Sequence, residues 1–205
     1  MIQDLSMQLV SAWQDTSWIE FIAAALAVAY LLLAIGQYLS CWLAAFISSV
    51  LYVWVLFNAR LYMESVLNAF YAAMAVYGFW QWQHGKGGGV LTVIRWHIAR
   101  HALAALGVVA LSLVTSFFLR RYTPAALPIP DSMVTWASVF ATFLVARKVY
   151  ENWHWWLLID SASVYLFYTR HLYATMLLSG LYLVLIVIGM REWRRSLLLA
   201  ANAVA

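Results

Sequence analysis

The chain has 205 residues, 66% of them hydrophobic and 10% charged, with a mean hydropathy of +0.82. A soluble domain is about half apolar and about a quarter charged, so this composition excludes a soluble globular protein and implies a polytopic membrane protein. The net charge of +4 does not point to nucleic acid, because basic residues in such a chain mark cytoplasmic loops. The single cysteine, Cys41, excludes an internal disulfide and any Cys-based zinc or iron–sulfur centre within one chain.

The opening MIQDLSMQLVSAWQDTSW lacks the basic segment and cleavage site of a secretory signal, so the chain is expected to be unprocessed. Crossing a bilayer takes about 20 mostly apolar residues in a helix. That ruler divides the sequence into seven spans at about 18–36, 40–57, 62–83, 94–119, 132–149, 153–168 and 172–191. The second and sixth are short and would stand nearly upright. GKGGG (85–89) reads as a flexible linker, and TPAALPIP (123–130) as a proline-bearing loop.

Shifting the sequence by 111 residues pairs Trp42 with Trp153, Tyr62 with Tyr173, Tyr71 with Tyr182, Gly78 with Gly189 and Trp82 with Trp193. No gap is needed, which predicts a duplicated three-helix unit. The expected layout is 3+1+3: repeat 1 over about 17–84, a linker helix over about 94–119, and repeat 2 over about 131–195. One intervening helix returns the second unit in the same orientation, so the repeats are parallel.

Lys and Arg fall unevenly by side. Lys86, Arg95, Arg100, Arg147, Lys148, Arg191, Arg194 and Arg195 share one side, and Arg60, Arg120, Arg121 and Arg170 the other. By the positive-inside rule the C-terminus is cytoplasmic, and the start with Asp4 and Asp15 lies outside.

Wound at about 100° per residue, the sixth span aligns Trp153, Trp156, Asp160, Val164 and Phe167 in one stripe, with Ser163 on its flank. A carboxylate at mid-span costs about 2.5–3.5 kcal/mol on insertion scales, so Asp160 should face protein or water and is a functional candidate. Indole faces beside it would receive a flat organic cation, each contact contributing about 0.5–2 kcal/mol. Two such contacts and a charge partner reach the micromolar range, about 8 kcal/mol. Trp155 and Trp193 are read instead as interfacial belt residues. In the third span Glu64, Asn68 and Tyr71 share a face, an amide and a phenol able to orient a ligand. The positions paired with Asn68 and Asp160 are Ser179 and Ser49, so the polar load is asymmetric.

His97 and His101, spaced as on one helix face, could hold a metal or haem, but Arg100 between them favours a basic interfacial patch. No P-loop, GxSxG or HExxH pattern occurs, so ATP hydrolysis by this chain alone is excluded. A membrane enzyme using these histidines and His84 is the rival reading from another class.

The stretch RKVYENWHWWLLIDSASVYLF (147–167) resembles the signature region of the Pnu-type vitamin transporters. Their ENWxxW pattern is matched by Glu151, Asn152, Trp153 and Trp156. The likeness continues through SWIE at 17–20, LYMESVLNAFYAAMAVYGFWQW and GMREW, and is weakest in the fourth span. It implies an all-α, seven-helix membrane fold of parallel repeats related to the SWEET sugar carriers. It also implies a bacterial inner-membrane facilitator that uses no cofactor and no energy-coupling partner, whose vitamin is retained by a cytosolic kinase. The site it carries over is Trp153 and Trp156, with Asn68 and Tyr71. Asp160 stands where many riboside carriers have asparagine, and Asn68 where they often have glutamine. The resemblance makes nicotinamide riboside the expected cargo, and these two departures bring in thiamine, carried by a close branch, as the alternative. Both are flat cations. The partners expected are this small molecule and the lipid bilayer; a homo-oligomer stays open.

Overall fold

Tight, hydrogen-bonded turns rather than the apolar runs set the helix ends. The computed structural model describes residues 18–58, 62–85, 91–122, 127–169 and 173–202. Among these it holds seven helices: α1 (Trp18–Ile35), α2 (Cys41–Asn58), α3 (Tyr62–Gln83), α4 (Ile98–Tyr122), α5 (Pro128–Ala146), α6 (Asn152–Thr169) and α7 (Tyr173–Asn202). Asp4, Asp15, Arg60, Lys86, Arg170, most of GKGGG and the first half of TPAALPIP lie outside the described residues.

Seven helices match the expected number, but among the described residues only five are long and apolar enough to cross a membrane by themselves. The two that fall short are α3 and α6. Their sequences carry Glu64, Asn68, Gln81 and Gln83, and Asn152, His154, Asp160 and Ser163, so the deficit in apolarity comes in part from the polar residues nominated for a site.

Helix α1 ends with Tyr38 N–H donating to Leu33 O (3.0 Å) and Gln37 N–H to Ala34 O (3.1 Å). Helix α5 ends with Val149 N–H on Leu144 O (2.9 Å) and Lys148 N–H on Val145 O (2.9 Å). Both are Schellman motifs, which satisfy the carbonyls a helix end leaves open. The residue they place in the left-handed region is usually glycine. Here it is Gln37, at φ 58°, and Lys148, at φ 49°, at a cost of about 1–2 kcal/mol each.

Helix α2 packs against α1 and α3, and α6 against α5 and α7. The two groups meet where α3 lies on α5 and where α1 lies on α7. Serine hydroxyls tie neighbours to backbone: Ser48 donates to Ala23 O (2.8 Å) and Ser65 to Val53 O (3.1 Å). Helix α4 lies along α5, where Trp136 donates to Thr115 Oγ1 (3.0 Å). Prolines at its first turn start α5, where no N–H partner is needed.

The fourth helix starts at Ile98, later than expected, because the preceding residues are extended and dock on the α5–α6 turn. Ile94 N–H donates to Lys148 O (3.0 Å) and Tyr150 N–H to Ile94 O (2.8 Å). Glu151 completes the clamp by accepting from Arg95 Nε (2.9 Å) and from Trp96 N–H (3.1 Å). Burial alone would raise the Glu151 carboxyl, but these hydrogen bonds and the Arg95 charge outweigh it and hold it below the usual carboxylate range.

Three sequence expectations are corrected. Trp193 is fully buried rather than interfacial, because its indole N–H donates to Ala34 O at 3.0 Å across the α1–α7 contact. Trp155 likewise turns inward, edge-on to Phe140 at 4.9 Å and donating to His101 Nδ1 at 3.3 Å. That partner makes His101 a buried residue rather than part of a basic surface patch. Gly78 and Gly189 permit close approach, since a Cβ on either would collide with the ring of Trp42 or Trp153 respectively.

Candidate ligand-binding cavity

Six of the seven helices enclose a cavity of about 330 Å³, within the range of small-molecule sites, about 300–1,000 Å³. Only α4 contributes nothing to its wall. Helix α1 supplies Tyr30 and Ala34; α2 supplies Trp42, Ala45, Ser49 and Tyr52; α3 supplies Asn68 and Tyr71. Across from them stand Thr142 and Val145 of α5, Asn152, Trp153, Trp156 and Asp160 of α6, and Tyr182 of α7. The helical period does this work: Trp156 and Asp160 are one turn apart on α6, and Asn68 and Tyr71 one turn apart on α3.

Six of the eight residues nominated from sequence line this cavity, and they differ in what they offer. Asp160 is 9% exposed and forms no ion pair with any described residue, so its carboxylate is not committed to a structural arginine. Trp156 is partly buried, and no ring of a described residue stacks on it. Trp153 is 2% exposed, seated on Gly189 and edge-on to Trp193 at 5.4 Å. Its ring is packed into the protein, and Trp156 is the indole with area to offer. Asn152 is fully buried and caps the turn, donating from Nδ2 to Val149 O at 2.6 Å. Asn68 donates to the Glu64 backbone carbonyl at 2.9 Å; Glu64 itself is exposed. Neither Glu64 nor Ser163 is among the lining residues.

The phenols of Tyr30, Tyr52 and Tyr182 were missed. Tyr182 had a signal, since it pairs with the nominated Tyr71 under the 111-residue shift. Tyr30 and Tyr52 had none, because aromatic residues make up 17% of the chain and no spacing separates a lining tyrosine from a packing one.

Residues 17–195 match the family described as nicotinamide mononucleotide transporter. The chain belongs to this family. It is 29% identical over 209 residues to the nicotinamide riboside transporter PnuC of Escherichia coli strain K12, covering 89% of this chain and 87% of that one. It is also 27% identical over 188 residues to the riboflavin/roseoflavin transporter RibM of Streptomyces davaonensis, covering 88% and 86%. The crystal structure of the vitamin B3 transporter PnuC superposes with a TM-score of 0.71 at 22% identity, over 95% of this chain and 88% of that chain. The fold of this family member is thus that of a multi-pass membrane transporter.

Proposed function

We propose that the chain is a facilitated-diffusion carrier of nicotinamide riboside in a bacterial inner membrane, with its N-terminus outside and its C-terminus in the cytoplasm. The observation that carries the reading is the central cavity, walled by both helix groups, where Asp160, one turn beyond Trp156, forms no ion pair with any described residue. A pyridinium ring would lie against the Trp156 face while Asp160 faces its charge and Asn68, Tyr71 and Tyr182 meet its hydroxyl and amide groups. The Escherichia coli relative is named for this cargo, and the family's description names the related nicotinamide mononucleotide.

We read the helices as two parallel three-helix repeats joined by α4, a SWEET-like 3+1+3 layout. Contacts repeated at the same offset support it: the two Schellman turns, the two glycine-seated indoles, and the matched pairings α3 on α5 and α1 on α7. Rocking of one repeat against the other about the cavity would alternate access without any ATP site. Net uptake would then depend on a cytosolic kinase that phosphorylates the vitamin and so removes it from the equilibrium.

Thiamine is the second reading, favoured by Asp160, since an aminopyrimidine donates well to a carboxylate. Tryptophan-fluorescence titration of purified protein decides between them. Saturable quenching by nicotinamide riboside, lost in Trp156→Ala, supports the first reading. Quenching by thiamine alone, with Asp160→Asn abolishing it, would replace that reading by the second. Riboflavin, the cargo named for the Streptomyces relative, is the uncharged comparator.

A further inference from the structure

We propose that Gln37, Lys148, Trp82 and Trp193 form the gate that closes the cavity at the Lys- and Arg-rich end of the bundle. The inference rests on the carrier reading, because a gate has meaning only where access alternates.

The first observation is backbone conformation. Gln37 and Lys148 hold the left-handed position of their Schellman turns at φ 58° and 49°, where glycine would be free of strain. A long polar side chain held at such a position, at a cost in backbone energy, points to a use for that side chain. The two side chains meet: Lys148 Nζ donates to Gln37 Oε1 at 3.4 Å, and Gln37 Nε2 donates to Ser196 Oγ of α7 at 2.7 Å. Lys148 is 4% exposed, and its ammonium sits 4.4 Å from the centre of the Trp82 ring. It is thus held by one acceptor and one indole face.

The second observation lies one layer deeper. Trp82 Nε1 donates to Val145 O at 3.2 Å, and Trp193 Nε1 donates to Ala34 O at 3.0 Å. Ala34 and Val145 both line the cavity. The indoles form a row, Trp42 to Trp82 at 5.4 Å, Trp82 to Trp193 at 6.2 Å and Trp193 to Trp153 at 5.4 Å. Trp82 thus touches the cavity-lining Trp42 and Val145 on one side and Lys148 of the turn on the other.

Each of these bonds joins a residue of α1–α3 or their turn to a residue of α5–α7 or theirs. They would therefore part together when the two halves rock. Their chemistry suits repeated opening, because each donor and acceptor freed at the membrane surface can be satisfied by water, and a hydrogen bond exchanged for water changes the free energy little.

Cys41, the only cysteine, is buried at the first residue of α2 beside this layer and reports on it directly. Full-length protein is reconstituted in liposomes, and the rate of Cys41 modification by N-ethylmaleimide is measured. A slow rate is expected for the natural chain. Lys148→Met and Trp193→Phe, which each remove a latch while keeping bulk, should raise it about tenfold as local opening becomes more frequent. The proposal is overturned if both variants keep the natural rate, or if the natural chain already reacts as fast as its urea-unfolded form. Rapid labelling accompanied by collapse of the melting transition also counts against it, since the contacts would then hold the fold rather than a gate. No vitamin enters the assay, so a failed vitamin titration would remove the assigned cargo and leave these rates to judge the gate.

Discussion

The indole layer under the cavity and the wall above it obey the same 111-residue offset to different degrees. In the layer the pairs agree in kind: Trp42 and Trp153 each sit on a glycine, and Trp82 and Trp193 each donate to a backbone carbonyl of the opposite half. In the wall Tyr71 and Tyr182 still agree, but Ala45 is paired to Trp156 and Ser49 to Asp160, and Asn68 answers to Ser179 outside the wall. Where both halves of the layer keep the same residue, the demand comes from the two-fold architecture, whose halves must pack and part at the same place, and applies twice. Where they differ, the demand comes from something without two-fold symmetry, which a vitamin is. Replacing Trp156 by the alanine of its paired position thus removes a face for the ligand, whereas replacing Trp153 removes a pillar.

Emptying the layer, unlike the bulk-keeping Trp193→Phe, should be costly to folding and alike in the two halves. Trp193→Ala and Trp82→Ala should each lower stability by about 3–5 kcal/mol, the usual cost of emptying a buried aromatic site, measured by thermal or denaturant unfolding in detergent. A loss confined to one half would break the equivalence. Gly78→Ala and Gly189→Ala should each cost about 1–3 kcal/mol, because the new Cβ overlaps an indole that has no room to retreat. In the wall the pattern should invert. Trp156→Ala should weaken nicotinamide riboside binding about tenfold, the worth of one desolvated cation–π contact, while the melting temperature moves little. Equal loss of stability and binding would place Trp156 in the layer rather than the wall.

Much of this division was legible in the sequence, because repetition and polarity are written there. Gapless pairing of Trp42 with Trp153 and Gly78 with Gly189 marked residues that prove to touch through their helices. Asp160, Trp156, Asn68 and Tyr71 stood out as polar or stacking residues on common helical faces, and all four line the cavity. What the sequence hid is inter-helix geometry. An indole that anchors two helices and one that floats at the lipid interface have the same hydropathy, so Trp155 and Trp193 were assigned to the belt. The docked segment before α4 was equally hidden. Its docking depends on Glu151 reaching Arg95 and the Trp96 amide, contacts between residues more than fifty positions apart.

The smallest effect concerns the one titratable break in the equivalence of the two turns. Gln37 carries no charge, whereas burial pushes the Lys148 ammonium down from its ordinary 10.5 to about 8. Below about 8 both folded and unfolded chains hold this proton. Between about 8 and 10.5 the unfolded chain holds it and the folded chain does not. Stability should therefore rise with pH across that window and level off above it. Screening at the membrane surface keeps the gain to about 1 kcal/mol. Unfolding followed from pH 7 upward checks this, with Lys148→Gln as the decisive comparison. That substitution makes the two turns alike, and the rise attributable to this residue should vanish; an unchanged rise would mean that the lysine keeps its proton in the folded chain and that another group titrates.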